Sequence, residues 1–147
     1  MKGVLEFCDG LEFVMVRARV REASMHEKPL ISVIDDEEPI RASLESLLKS
    51  LSFEVRIFAS AIEFLQSSHL GRTSCLIADV NMPHMTGLTL FERLKASGVN
   101  IPTILITGYP SDAARRKALK DGVSGYLVKP FAEDDLLACI GQALNNP

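Results

Sequence analysis

The sequence predicts an α/β protein in which helices cover both faces of a five-stranded parallel sheet. Two observations lead to this prediction. Short apolar runs recur along the chain, each too short for a helix and bounded by polar or turn residues, as in strands buried on both faces. Segments with apolar residues at helical spacing separate these runs, and such alternation forms a doubly wound (βα)5 sheet through right-handed crossovers.

The first two strand and helix pairs follow residue 28. Residues 30–34 are an apolar run that predicts the first strand. The helix after it carries a stripe of apolar residues at helical spacing, namely Ile40, Leu44, Leu47, Leu48 and Leu51. Residues 54–58 alternate as a second strand, and Ser60 is placed to cap a short helix that carries Ile62, Phe64 and Leu65.

The third pair begins with the apolar run at 75–78, which predicts the third strand. A helix from about Gly87 to Ser97 follows, and Gly98 suits the position after a helix end because glycine accepts a left-handed backbone. Residues 101–106 predict the fourth strand. These elements continue the alternation of strand and helix.

The last two helices differ in composition. The fourth runs between Ser111 as a cap and Gly122 as a terminator, and residues 125–128 predict the fifth strand. The last helix starts at about Glu133. Few apolar residues lie on the fourth helix, which instead carries a basic cluster of Arg115, Arg116, Lys117 and Lys120. A solvated surface is the plain interpretation of that cluster.

Polar side chains follow four of the predicted strands. Asp35 and Asp36 follow the first, Asp79 the third, Thr107 the fourth and Lys129 the fifth. The carboxyl ends of parallel strands meet at one edge of a sheet, where ligands of such sheets bind. Three carboxylates at one edge repel unless a cation lies between them, and the hard cations Mg²⁺ and Mn²⁺ prefer oxygen ligands. With a hydroxyl and an ammonium group nearby, the set is suited to accepting a phosphoryl group on Asp79.

Each of these residues also has a plainer interpretation. Asp35 and Asp36 are acids before a helix, where they favour its dipole. Asp79 is suited to a turn, Thr107 to a strand end and Lys129 to a solvated surface. The coincidence of four polar strand ends favours a shared site over four separate explanations.

From about residue 29 to residue 145 the chain resembles a receiver domain of a two-component response regulator of the chemotaxis, CheY-like type. The matching motifs are Val-Ile-Asp-Asp at 33–36, Asp-Val-Asn-Met-Pro at 79–83, Gly87, Thr107 with Gly108, and Tyr126 with Lys-Pro-Phe at 129–131. The resemblance implies a flavodoxin-like fold with strand order 2-1-3-4-5. It divides the chain into a receiver domain at 29–147 and an N-terminal extension at 1–28 of unknown structure.

The resemblance implies that a sensor histidine kinase donates a phosphoryl group to Asp79. It further implies that Asp35, Asp36, Asp79 and the backbone carbonyl of Asn81 bind Mg²⁺ or Mn²⁺. Such a domain signals as a phosphoacceptor and is not an enzyme with a separate substrate; its own catalysis is limited to phosphotransfer and loss of the phosphoryl group.

The family likeness assigns three more roles. Thr107 and Lys129 neutralise phosphoryl charge, while Thr107 and Tyr126 form a switch. The surface of the fourth helix, fifth strand and fifth helix then changes and binds a downstream protein or a second copy of the chain. The basic cluster and the acidic start of the last helix are suited to reciprocal ion pairs in such a homodimer.

Two further classes of function compete with this one. A haloacid-dehalogenase phosphatase uses similar groups, but its nucleophile precedes its acid pair, whereas Asp35 and Asp36 precede Asp79. A receiver-like interaction module that works without phosphorylation stays open. Residues 101–108 also resemble receivers of LuxR-type regulators, so we expect either a stand-alone receiver or a fragment of a DNA-binding transcriptional regulator, whose output domain is fused or lost.

The composition argues against two kinds of partner, nucleic acids and membranes. The net charge of −3 gives no basic excess for direct nucleic-acid binding, and no stretch is long and apolar enough to cross a membrane. The cysteines, Cys8, Cys75 and Cys139, lack the spacing of metal ligands, which favours reduced thiols and a cytoplasmic protein.

In the N-terminal segment, residues 14–21 alternate small apolar and mostly basic side chains. Three interpretations stay open: a strand at a sheet edge or subunit contact, a segment without fixed structure, and a natural start at Met25.

Overall fold

The computed structural model describes residues 28–145, in which five strands alternate with five α-helices and a 3₁₀ helix at Leu70–Arg72 precedes the third strand. The elements, in chain order, are β1 Leu30–Ile34, α1 Glu38–Ser50, β2 Glu54–Phe58, α2 Ala61–Leu65, β3 Cys75–Asp79, α3 Gly87–Ala96, β4 Thr103–Thr107, α4 Asp112–Asp121, β5 Gly125–Val128 and α5 Glu133–Asn145. The strands pair in parallel in the order β2-β1-β3-β4-β5, which confirms the predicted fold. The expectations for residues 1–27 lie outside the described residues.

The three central strands explain the continuous apolar runs. Every residue of β1, β3 and β4 is buried, because helices cover both faces of the sheet. The edge strands β2 and β5 bury fewer of their residues. The central strands thus fix the ends at which the polar residues stand.

Two apolar cores lie on opposite faces of the sheet. One joins the strands to α1 and α5, and it includes Ile31, Val33, Leu44, Leu48, Cys75, Ile77, Leu136 and Ile140. The other joins the strands to α2 and α3, and it includes Phe64, Leu76, Leu90, Phe91, Leu94 and Leu105. Each fully buried aliphatic side chain contributes about 1.5–3 kcal/mol to stability.

Local chemistry sets the helix ends as predicted. Ser60 accepts a hydrogen bond from Glu63 N, and Ser111 accepts one from Ala114 N. Gly122 ends α4 with a φ of 110°, and Gly98 follows α3 with a φ of 79°. Both angles lie in the left-handed region that favours glycine.

Two predictions, one of a boundary and one of packing, differ from the structure. β4 begins at Thr103 and not at residue 101, since Pro102 has no N–H to donate and contributes only its carbonyl, to Leu76 N. By contrast, Asp79 and Thr107 close β3 and β4, as predicted. Ile62 is 44% exposed, because the short helix α2 directs Ala61 and Phe64 into the core, with Leu65 partly buried beside them.

Within residues 28–145, no helix combines the length and apolar character that a membrane span requires.

Candidate functional site

Three aspartates meet at the carboxyl edge of the sheet. Asp35 and Asp36 directly follow β1, and Asp79 ends the neighbouring strand β3. One carboxylate oxygen from each lies within 4.8 Å of the others. Asp35 and Asp79 are buried and Asp36 is exposed, so the cluster opens to solvent on one side. The structure therefore brings together the acids that the sequence placed at one edge.

Asp35 is fixed by its neighbours on the following turn. Its Oδ1 accepts a hydrogen bond from Glu37 N at 2.9 Å, and its carbonyl oxygen accepts one from Arg41 Nη1 at 2.7 Å. One oxygen of Asp35 thus fits the plainer interpretation, in which a carboxylate accepts a hydrogen bond from a backbone N–H just before a helix. Because Oδ2 of Asp35 faces Lys129 instead, this explanation covers only one of its oxygens.

Lys129 lies directly after β5 and faces three carboxylates. Its Nζ is 3.2 Å from Asp35 Oδ2, 3.5 Å from Asp79 Oδ2 and 3.5 Å from Glu37 Oε1. Burial alone would lower the pKa of Lys129, but the charges of Asp35 and Asp79 outweigh burial, so the pKa is raised and the ammonium stays charged. The peptide bond between Lys129 and Pro130 is cis.

The chemistry of the acid cluster fits a divalent cation. Burial raises the pKa of the Asp79 carboxyl, and the neighbouring charge of Asp35 raises it further, while the Asn81 N–H and Lys129 oppose the rise. One ammonium group does not balance the charge of Asp35, Asp36 and Asp79 together. Converging carboxylate oxygens with excess negative charge are the ligands that Mg²⁺ or Mn²⁺ prefers, so the residues present fit such an ion.

Thr107 is committed to two hydrogen bonds at the end of β4. Its hydroxyl donates to Asn81 Oδ1 at 2.8 Å and accepts from Tyr109 N at 2.9 Å. Asn81 also donates its backbone N–H to Asp79 Oδ1 at 3.3 Å. Asn81 therefore joins the Asp79 carboxylate to the Thr107 hydroxyl, a link that the sequence did not predict.

Tyr126 lies on β5 and is half-buried against the core formed with α2 and α3. It pairs in register with Leu105, two residues before Thr107 on β4. Tyr126 and Thr107 therefore lie on adjacent strands, two positions apart in the register. The predicted coupling between them stays a proposal.

A cleft of about 360 Å³ lies at the polar edge, and beside Gly108 of the Thr107 motif its walls include two residues to which the sequence assigned no role, Glu37 and Tyr109. Glu37 belongs to the acid run 35–38, which was the available signal. Tyr109 is 80% exposed and carried no signal of its own. Gly87 supports the site from beneath, since a Cβ there would lie 2.6 Å from the Asp79 carbonyl oxygen.

Several other titratable side chains do not line the cleft. His84 is an exposed loop residue with a φ of 71°, and Cys139 is half-buried on α5. Burial raises the pKa of the Cys75 thiol to about 12, with a further contribution from Cys139, so Cys75 is an inert core thiol. Lys117, from the basic cluster, pairs within the chain with Glu92 and Asp121.

Comparisons with known proteins agree with this geometry. Residues 31–141 match the family model described as the response regulator receiver domain. The chain is 36% identical over 124 residues to the response regulator protein TmoT of Ectopseudomonas mendocina, covering 84% of this chain and 56% of TmoT. It is 34% identical over 113 residues to the transcriptional regulatory protein FixJ of Rhizobium meliloti, covering 77% of this chain and 55% of FixJ.

Solved structures give the same result. The crystal structure of FixJ-N superposes with a TM-score of 0.73 at 31% identity and covers 82% of this chain and 97% of that one. The chemotaxis protein CheY4 of Vibrio cholerae superposes with a TM-score of 0.72 at 28% identity and covers 80% of this chain and 99% of that one. The chain spans about half the length of the curated relatives TmoT and FixJ.

Proposed function

The chain belongs to the response regulator receiver domains of two-component systems, and from this premise we propose that Asp79 accepts a phosphoryl group from a sensor histidine kinase. Receivers of this family are in general signalling domains and not enzymes. The observation that carries the proposal is the convergence of three carboxylates and one ammonium group at the strand ends, with the buried Thr107 hydroxyl bound beside them to Asn81. No plainer explanation of the individual residues accounts for that convergence.

The proposed transfer is a substitution at phosphorus. A carboxylate oxygen of Asp79 forms a new P–O bond as the P–N bond to the donor imidazole breaks, and the imidazole leaves with the electron pair and takes up a proton. Lys129 Nζ, 3.5 Å from Asp79 Oδ2, is placed to pair with the negative charge that arrives. The Thr107 hydroxyl is the remaining donor, once it turns away from Asn81.

Asp35, Asp36, Asp79 and the backbone carbonyl of Asn81 are the proposed ligands of Mg²⁺ or Mn²⁺. When bound, such an ion supplies positive charge that offsets the carboxylates and the phosphoryl oxygens. The residues themselves supply the fixed geometry, since Asp35 is tied to Glu37 N and Asp79 to Asn81 N.

Phosphorylation by acetyl phosphate, with and without Mg²⁺, tests the proposal through the intact mass of the protein. Wild type should gain one phosphoryl group only with Mg²⁺, and Asp79→Asn should gain none. Asp134→Asn is the matched control, because Asp134 is an exposed aspartate on α5, away from the cleft. A gain that persists in Asp79→Asn would identify another acceptor. No gain in wild type would favour an interaction module that works without phosphorylation.

We further propose that α4, β5 and α5 form the output surface, with Thr107 and Tyr126 as the switch. Three of the exposed large apolar side chains lie on this side, namely Tyr109, Leu119 and Val128. Arg115, Arg116 and Lys120 make no ion pair with another residue of the range 28–145, while Glu133, Asp134 and Asp135 begin α5. These charges suit a partner protein or a phosphorylation-dependent homodimer.

A stable phosphorylated analogue tests the homodimer. Sedimentation with and without beryllofluoride and Mg²⁺ should detect a dimer that Arg115→Glu weakens and Glu133→Arg restores. A protein that binds beryllofluoride and stays monomeric would favour a different output partner.

A receiver of a longer DNA-binding regulator is the second candidate, because the relatives of which the chain covers about half include transcriptional regulators. In this proposal residues 29–147 are the receiver and residues 1–28 are an extension.

A further inference from the structure

The one proton of the Thr107 hydroxyl is already used in a hydrogen bond. A hydroxyl has one proton to donate, and the Thr107 proton is directed to Asn81 Oδ1 at 2.8 Å. The N–H of Tyr109 occupies an acceptor position on the same oxygen at 2.9 Å. Thr107 is buried and both of its partners are exposed, so the two hydrogen bonds lie at the border between the core and the solvent.

A phosphoryl group on Asp79 would compete for that proton. If Thr107 donates to a phosphoryl oxygen, as the proposed function requires, its hydroxyl must first leave Asn81 Oδ1. Asn81 is the residue that connects the two groups, since its backbone N–H binds Asp79 Oδ1 at 3.3 Å while its side chain holds Thr107. The resting bond and the phosphorylated arrangement therefore exclude each other.

We propose that the Asn81 side chain is a latch: its Oδ1 holds the Thr107 hydroxyl in the resting arrangement and opposes its turn toward a phosphorylated Asp79. This proposal rests on the proposed function and deepens it, because it assigns the regulation of the same site to one side-chain atom. Asn81 acts here as a positioning residue, separately from the role proposed for its backbone carbonyl.

The latch predicts that removing the amide favours the activated state. A neutral hydrogen bond contributes about 1 kcal/mol, which corresponds to a change of about 5-fold in affinity. Asn81→Leu keeps a similar side-chain volume without the acceptor, and it should bind beryllofluoride, with Mg²⁺ present, about 5-fold more tightly than wild type. Asn100→Leu is the matched control, since Asn100 is an exposed asparagine on the loop before β4, at the opposite edge of the sheet.

Two measurements separate a latch from a general disturbance of the site. In a double-mutant cycle, Asn81→Leu should no longer increase affinity when Thr107→Val has removed the hydroxyl. Without any ligand, amide hydrogen exchange at Tyr109 should be faster in Asn81→Leu, because a freed Thr107 hydroxyl no longer holds the Tyr109 N–H. The exchange rate reports the latch even where no ligand is bound.

The outcomes distinguish the latch from the function on which it rests. Wild type that binds no beryllofluoride overturns both the proposed function and the regulatory role of Asn81. Wild type that binds it, with Asn81→Leu binding equally or less tightly, overturns the latch alone. An affinity gain that persists in the Thr107→Val background, or a Tyr109 exchange rate equal to that of wild type, also overturns it.

Discussion

Helices α1 and α4 flank the same sheet, but different forces hold them. The helix α1 buries Leu44 and Leu48 at 4% and 0% exposure in the core that it shares with α5. In α4, whose whole length is described, Ala118 is the one buried residue, and Leu119 is 39% exposed. Ion pairs between surface side chains help to hold α4 instead; Lys117, for example, pairs with Glu92 of α3.

Because of this difference, we distinguish a fixed half of the site, which lies before α1, from a yielding half, which lies before α4. The acids Asp35 and Asp36 stand on the turn between β1 and α1, and apolar burial fixes α1. Thr107 and Tyr109 stand before α4, which exposed polar contacts hold. Local opening requires less free energy where few apolar contacts are lost. We therefore expect the acid cluster to stay in place while the α4 side rearranges.

The largest expected effect is a truncation on the fixed side. Leu48→Ala should reduce the free energy of unfolding by about 3 kcal/mol, because it removes a fully buried side chain and leaves a cavity. Leu119→Ala on α4 is the matched substitution and should cost less than about 1 kcal/mol. Urea denaturation monitored by circular dichroism measures both. Equal losses would show that α4 is packed as firmly as α1.

A second test concerns α5, which shares the core of α1. A Cβ at Gly125 of β5 would lie 2.8 Å from Cys139 Sγ, so Gly125→Ala should destabilise the protein by about 2 kcal/mol through overpacking. The double variant Gly125→Ala with Cys139→Ala should recover part of the loss. Gly71→Ala is the control, since nothing lies within 4 Å of a Cβ at that position. A Gly125→Ala variant as stable as wild type would mean that the Cys139 side chain turns away or that α5 shifts without cost.

The pH dependence of stability tests how well the same core excludes water. The pKa of Cys75 is raised by burial from 9.0 to about 12. Above the lower value the unfolded chain loses a proton that the folded chain keeps, so stability is lost as the pH rises from 9.0 toward about 12. This thiol alone reduces stability by up to about 1.4 kcal/mol per pH unit in that range.

Urea denaturation at pH values from about 8 to about 10, which bracket the lower pKa, measures this slope. Cys75→Ala should have a shallower slope than wild type, whereas Cys139→Ala, which removes a half-exposed thiol, should flatten it less. Identical slopes for wild type and Cys75→Ala would mean that water reaches Cys75 in the folded protein.

The fixed half was also the part that the sequence predicted best. Buried parallel strands are continuous apolar runs, so β1 and β3 could be recognised, and with them the edge where Asp35 and Asp79 meet. The caps Ser60 and Ser111 were predictable because capping depends on residues close in sequence.

What the sequence did not predict depends on contacts between distant segments. The bond between Thr107 and Asn81 joins two strand ends, and no local pattern encodes it. Glu37 was visible as one acid of a run, but its distance to Lys129 follows from how β1 and β5 are placed. The exposure of Ile62 depends on which side of a short helix faces the sheet, and five residues of α2 give no clear period.

The smallest expected effect is on the yielding half itself. Lys117→Ala removes the ion pairs with Glu92 and Asp121, and because these groups are exposed the unfolding midpoint should barely change. Amide exchange along α4 should nevertheless become faster, while exchange along α1 stays the same. Lys49→Ala is the matched control, since Lys49 pairs with Glu45 within α1, a helix that burial already fixes. The difference between Lys117→Ala and wild type should shrink at about 1 M salt, where screening acts over about 3 Å. Unchanged exchange along α4 would mean that Ala118 and the helix caps hold this helix without the ion pairs.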